Sequence, residues 1–239
     1  MHSIKANRII FRNEPHTEIG KLLRDIILGG QDGLVNVLGI LLGVAIATNN
    51  IQIILLAGLS ATFAESISMA AVSYTSTKAA AEYYEKERRR EIREMKEVPE
   101  AEMQEIRGIY AQKGFSGKDL ELVVKKICGN KQIWLDVMME EELKLEKPDE
   151  NPARNAFVVG ASAICGSLIP LLPFFALPPK TAIVATIIFS AAILFIAGAL
   201  KSKYTVIGWK RSGLELALIG TISALVGFAI GALLGAPAA

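Results

Sequence analysis

Between Asp32 and Glu65 the chain carries no charged side chain at all, from Gly33 to Ala64. Three more uncharged runs follow, Asn155 to Pro179, Thr181 to Leu200 and Leu216 to Ala239. Apolar runs of about 20 residues match a hydrocarbon thickness of roughly 30 Å when helical. Charge is concentrated elsewhere: of 24 acidic residues, 18 fall between Glu82 and Glu150. The mean hydropathy of +0.38 therefore averages two different kinds of sequence. A purely soluble globular domain does not fit this pattern. Disorder does not fit it either, because 51% of the residues are hydrophobic.

In lipid, backbone polar groups must be satisfied within the segment, which makes helices the economical spanning element. The pattern predicts five spans: about Leu22–Ala47, Ile51–Tyr74, Asn155–Phe175, Thr181–Leu200 and Gly213–Leu234. Thr48, Asn49 and Asn50 form the polar turn between the first two. The first span begins too late and runs too long for a cleaved signal peptide, and Asp32 interrupts it. The fold class is all-α, a polytopic membrane protein with a helical insert. Its expected divisions are an N-terminal segment 1–21, spans one and two over 22–78, the insert over 79–150, and spans three to five over 151–239.

Lysine and arginine placement gives an orientation. Lys5, Arg8, Arg12, Lys21 and Arg24 precede or open the first span, whereas the turn before Ile51 has none. Lys201, Lys203, Lys210 and Arg211 lie between the fourth and fifth spans, and the C-terminal tail has none. The positive-inside rule then places the N-terminus and insert in the cytosol and the C-terminus outside it. Gly39 and Gly43 on the first span, and Gly227, Gly231 and Gly235 on the fifth, have the four-residue spacing that lets helix backbones approach. They serve packing within one subunit or a dimer seam. Pro170 and Pro173 should bend or loosen the end of the third span.

The insert reads as four helices. The second span should run on to Glu97, stopped by Pro99. Further helices cover about Glu100–Ala111, Ser116–Cys128 with a Ser116/Asp119 capping box, and Lys131–Leu145. Cys128 and Cys165 form no CxxC motif and read as small buried hydrophobes. No basic patch carries interleaved aromatics, so nucleic acid is not an expected partner.

Ionisable groups in the hydrocarbon region are costly, so Asp32 and Glu65 are functional candidates. Glu65 lies about 20 Å along the helix from Ile51. Helical spacing puts Gly29, Asp32, Gly33, Asn36, Gly39 and Gly43 on one face of the first span. Thr62, Glu65, Ser68, Met69 and Ser73 make a similar stripe on the second. Together these stripes can line a polar path. Oxygen ligands alone suit Mg²⁺ or Ca²⁺, and added thioether sulfur tilts selection toward transition metals. In the insert, Glu91 with Glu94 and Glu102 with Glu105 have i, i+3 spacing. Asp136 precedes Met138, Met139, Glu140, Glu141 and Glu142. Such carboxylates can chelate a divalent ion, although each pair alone also reads as solvated helix surface.

These residues carry a resemblance. The runs Arg24-Asp-Ile-Ile-Leu-Gly-Gly-Gln-Asp32-Gly33 and Ile67-Ser-Met69, then Trp134-Leu-Asp-Val-Met138-Met139 through Glu142 to Lys147-Pro-Asp149, and Pro170-Leu-Leu-Pro173 resemble the vacuolar iron transporter family, also called the yeast calcium cross-complementer family. The resemblance runs from about residue 16 to the C-terminus. It implies a homodimer of five-span subunits in membrane lipid, exporting Fe²⁺ from the cytosol by proton antiport. The membrane would be the cell membrane in a prokaryote and the vacuolar membrane in a eukaryote. It implies no enzymatic activity and no prosthetic group. Fe²⁺ is substrate and bound ion, with Mn²⁺, Zn²⁺ and Co²⁺ as alternatives. Asp32 and Met69 match the family's translocation path, to which the residue reading adds Asn36 and Glu65. Glu91, Glu94, Glu102, Glu105, Met138 and Glu142 match its metal-binding domain, and Met139 belongs to the same run. Many members carry the second-span glutamate one turn earlier, where this chain has Ala61. Glu65 would substitute for it, with the site displaced by roughly 6 Å.

Other classes fare worse. A di-iron enzyme in a helical bundle wants Glu-x-x-His pairs, and the only histidines are His2 and His16. A metal-buffering membrane protein without transport is the remaining alternative, alongside a Mn²⁺ or broad divalent cation transporter.

Overall fold

A computed structural model of the chain describes residues 15–48, 50–148 and 151–234. Asn49, Asp149 and Gly235 lie outside the described residues. The described chain is helical, with no strand: α1 (Pro15–Thr48), α2 (Ile51–Glu97), α3 (Pro99–Gln112), α4 (Gly117–Cys128), α5 (Lys131–Val137), α6 (Pro152–Ala176), α7 (Pro179–Lys201) and α8 (Trp209–Leu234). Five of them, α1, α2, α6, α7 and α8, are long and apolar enough to cross a membrane. The chain divides into two compact units. One holds the described residues up to Ser73 and from Ala153 onward, and the other is Tyr74–Pro152. We call them the membrane unit and the polar unit; α2 contributes to both.

In the membrane unit α1 is the central element, and its two apolar faces explain why. Leu34, Leu38 and Leu42, four apart, pack with Leu194 of α7 and Leu216 and Ala224 of α8. Val37, Leu41 and Ala45 pack with Ile54 of α2, Leu171 and Phe174 of α6 and Ala182 of α7. Lipid offers no hydrophobic driving force between helices, so close van der Waals contact between small residues must hold them together. That contact is explicit here. A Cβ on Gly227 would lie 2.0 Å from the Gly39 carbonyl oxygen, and one on Gly166 would lie 2.0 Å from that of Gly30. The stripes on α1 and α8 thus meet each other within one chain. Much of the remaining surface of these helices is apolar and exposed, as at Leu56, Phe63 and Ile67 of α2.

Pro170 and Pro173 both lie inside α6, which continues to Ala176. Each removes one helical N–H, and the hydroxyl of Thr186 on α7 donates to the carbonyl of Pro170. The helix runs past both prolines to Ala176, and Thr186 ties α7 to it through the Pro170 carbonyl. Cys128 is half-buried, but Cys165 is exposed rather than buried.

The polar unit has its own core of Ile106, Val124, Ile127, Trp134 and Met138. Val98 is the residue between α2 and α3, and Pro99 opens α3 as its first residue, where a missing N–H costs nothing. Asn130 caps α5 by accepting from the N–H groups of Gln132 and Ile133. Two expectations need correction. Ser116 stands at the N-cap of α4, but its hydroxyl makes no capping bond. The last helix does not run to Leu145: α5 ends at Val137 and passes into a π-turn, Met138–Glu142. Leu143 N–H bonds the Met138 carbonyl five residues back, and Lys144 then takes a left-handed φ of 52° that no helix continues.

The glycine contacts make a paired prediction. Gly227→Ala should lower the thermal midpoint of the detergent-solubilised protein, because only backbone movement removes the clash. Gly108→Ala, in an exposed stretch of α3 with nothing within 4 Å of the new methyl, should stabilise by about 0.5–1 kcal/mol. Thermal unfolding followed by circular dichroism checks both.

Candidate functional site

Two acidic sites emerge, one in each unit. In the membrane unit, Asn36 Nδ2 on α1 donates to Glu65 Oε1 on α2 at 2.6 Å. Asp32, one turn before Asn36, is an electrostatic neighbour of the same Glu65 carboxyl. Glycine positions this group. A Cβ at Gly33 would lie 2.4 Å from the Ala163 carbonyl oxygen, so the backbone of α6 presses against that side of α1. Asp32 and Asn36 lie beside Gly33 on the same side of α1, where Asn36 reaches Glu65. Asp32 and Glu65 are half-buried, and Asn36 is exposed.

The rest of the two stripes plays other parts. Gly39 and Gly43 pack α1 against α8. Thr62 is buried, and its hydroxyl donates to the Gly58 carbonyl one turn back. Ala61 packs against the apolar cluster around Leu41 and Leu171. Acidic chemistry on α2 therefore sits at Glu65, with half-buried Met69 at i+4 on the same face. A groove of about 440 Å³ opens beside Asp32, lined by Arg24, Leu28, Gln31 and Val35 of α1 and Ile219 of α8. Arg24 and Gln31 were not singled out by the sequence reading as site residues. Their signal is the seven-residue spacing that puts both on the Asp32 side of α1.

In the polar unit, Glu91 and Glu94 of α2 and Glu102 of α3 each bring one carboxylate oxygen within 4.8 Å of the others. Glu91 is only 1% exposed and Glu102 only 4%. Glu105 and Glu142 belong to the same electrostatic group, since both raise Glu102. Burial, and then the Glu105 charge, push Glu102 up to about 7. The same two causes push Glu142 up to about 7. Burial and the Glu94 charge raise Glu91 as well. One oxygen each of Glu102 and Glu142 is buried without a hydrogen-bond partner among the described residues. Carboxylates removed from water and crowded together hold protons, or they meet a cation. The cationic side chain that reaches this group is Arg90, which donates to Glu94 at 3.2 Å and to Glu87 at 3.1 Å.

Met138 and Met139, expected as metal ligands together with the acidic run, are both buried. Met138 is fully buried in the apolar core of the unit, and Met139 is 1% exposed. Asp136 is exposed and accepts from Gln132 instead of joining the glutamates. Glu141 pairs with Lys113. Glu87, buried at 6% exposure, was missed by the sequence reading, although its i, i+4 spacing to Glu91 was the available signal.

The raised groups fix a pH dependence. Glu102 and Glu142 bind protons more tightly in the folded state than in the unfolded one. Their contribution to stability is full below the ordinary carboxylate range and is lost as pH rises through about 7. Without metal, the protein should therefore unfold at a lower temperature at pH 8 than at pH 5.5. Glu102→Gln should flatten that difference. A divalent ion, which needs the deprotonated carboxylates, should bind more tightly at pH 8 than at pH 6. Thermal scans with and without metal test all three.

The family model described as VIT family matches residues 23–232. The chain is 36% identical to vacuolar iron transporter 1 of Arabidopsis thaliana over 95% of this chain and 91% of that protein. It is also 36% identical to vacuolar iron transporter 1 of Eucalyptus grandis, over 90% of this chain and 87% of that one. A vacuolar iron transporter of Plasmodium berghei is 31% identical over 89% of this chain and 82% of its own.

Proposed function

Because the chain belongs to the VIT family, we propose that it carries divalent metal out of the cytosol, with Fe²⁺ as substrate and protons moving the opposite way. The observation that supports this reading most directly is the Asn36–Glu65 hydrogen bond, with Asp32 beside it, between two membrane helices. Two acids and an amide at one place in an apolar layer form an oxygen site that a metal ion and protons can share. A carboxylate must lose its proton to take the metal. Each metal ion that enters thus displaces protons, and this competition supplies the coupling. Met69 adds a soft donor one turn further along α2.

In this reading the polar unit faces the cytosol, as the lysine and arginine distribution asks. Glu91, Glu94, Glu102, Glu105 and Glu142 collect metal there, and Asp32, Asn36, Glu65 and Met69 take it through the membrane. Two copies of the chain pair so that each contributes its α1 and α2. The relatives' names point to a vacuolar membrane in a eukaryotic cell. A broader Mn²⁺ and Fe²⁺ selectivity is favoured by one observation. The glutamate group offers hard oxygen donors, and Met138 lies in the apolar core of its unit.

The test is flux into proteoliposomes. Wild-type protein should move Fe²⁺ faster when the lumen is acidic. Glu65→Gln should cut that flux by at least roughly tenfold, the scale seen even for loss of an outer-shell partner of a metal. It should leave metal binding by the polar unit intact. A Glu65→Gln protein with normal rate and normal pH dependence would sink the mechanism. Parallel uptake of Mn²⁺ separates the two selectivities.

A further inference from the structure

The polar unit holds a second feature that metal transport does not use, an open cleft of about 1290 Å³. Six cationic side chains of α2, from Lys78 to Arg93, line it, and Lys147 adds a seventh. Among the described residues that line it, only Glu82, Glu85 and Asp136 oppose them. The unit as a whole is acidic, with 18 acidic and 15 basic residues between Tyr74 and Pro152. The charges interleave in sequence and separate in space. Successive helical residues turn by about 100°, so Lys78, Lys86, Arg89 and Arg93 share one face of α2. Glu87, Glu91 and Glu94 share the opposite one. Lys86 and Arg93 are exposed and make no ion pair among the described residues. The pairs formed by Lys78, Arg88 and Arg89 are solvent-exposed and therefore weak.

We propose that this cleft binds a soluble anion carrying several phosphates, and that its occupancy releases Glu94 for metal. At the arginine end of the cleft, distance along α2 argues against a lipid headgroup, whereas Lys78 at the other end lies only about 6 Å past Tyr74. The apolar stretch ends near Tyr74, and Arg88 to Arg93 lie about 21–29 Å further on. The polar layer of a bilayer is only about 5–8 Å deep. Arginine and lysine are the side chains that bind phosphate, arginine in bidentate fashion. Arg90 links the two sites. It lines the cleft, yet it also holds Glu94 and Glu87. An anion that draws the Arg90 guanidinium into the cleft removes a competing cation from the glutamate group. This second clause rests on the metal reading of that group; the anion site does not.

The experiment uses the full chain in neutral-lipid nanodiscs, free of metal, titrated calorimetrically with inorganic triphosphate. Saturable binding that weakens with salt is expected, and Lys86→Gln or Arg93→Gln should each weaken it roughly tenfold, the value of one charge-assisted hydrogen bond. Lys118→Gln, outside the cleft, should leave it unchanged. Absence of saturable binding, or binding that ignores both cleft variants, overturns the proposal. So does binding seen only when the nanodisc contains anionic phospholipid. For the link, Arg90→Gln should tighten Mn²⁺ binding several-fold. Unchanged or weaker Mn²⁺ binding overturns the link and leaves the anion site standing. If the wild-type chain binds no Mn²⁺, the metal reading fails, and the triphosphate arm still decides the cleft.

Discussion

A carboxylate taken out of water must keep its proton or face a cation, and this chain twice places acids where neither need is met by its own side chains alone. In the membrane unit, Glu65 is answered by an amide, Asn36, and by another acid, Asp32. In the polar unit, Glu91, Glu94 and Glu102 converge, and Arg90 reaches them through Glu94. Carboxylates crowded out of water destabilise a fold unless a proton or a cation answers them. The proposed transport reading uses both places for competition between a metal ion and protons.

The remainder of the structure is what holds those acids in position. Lipid cannot drive helices together as water does, so α1 is fixed by backbone contact at its glycines and by two leucine- and valine-rich faces. Backbone of α6 and α8 presses against α1 at its glycines, and α2 brings Glu65 to Asn36. Thr62, Thr186, Ser66 and Ser223 all hydrogen-bond to backbone carbonyls, which keeps their hydroxyls satisfied within the helical packing. The polar unit uses ordinary water-driven packing instead. Its tryptophan and Met138 fill a compact core, and the π-turn that follows carries Glu142 toward the other glutamates.

The chain belongs to the VIT family. The position of the second-span acid is where this chain departs from the pattern expected for the family. Ala61 has become part of the apolar packing, and Glu65 one turn on makes the contact with α1. The carboxylate that reaches α1 thus lies four residues past Ala61 on α2.

Much of this was legible in the sequence because it depends on local rules. Uncharged runs of membrane length fix the spans, Pro99 and Gly129-Asn130 fix helix ends, and the cost of charge in lipid marks Asp32 and Glu65. Spacing of three or four residues told that Glu91 and Glu94, or Glu102 and Glu105, share a face. It could not tell that α2 and α3 bring those faces together, since that depends on the core formed by residues distant in sequence. Nor could it show that Met138 lies inside that core, that Asp136 lies away from the glutamates, or that a π-turn replaces the last helical turn. Spacing limits which residues share a surface of one helix. Only the packing of helices against each other decides which surfaces meet, and so which buried acids are left to share a proton or an ion.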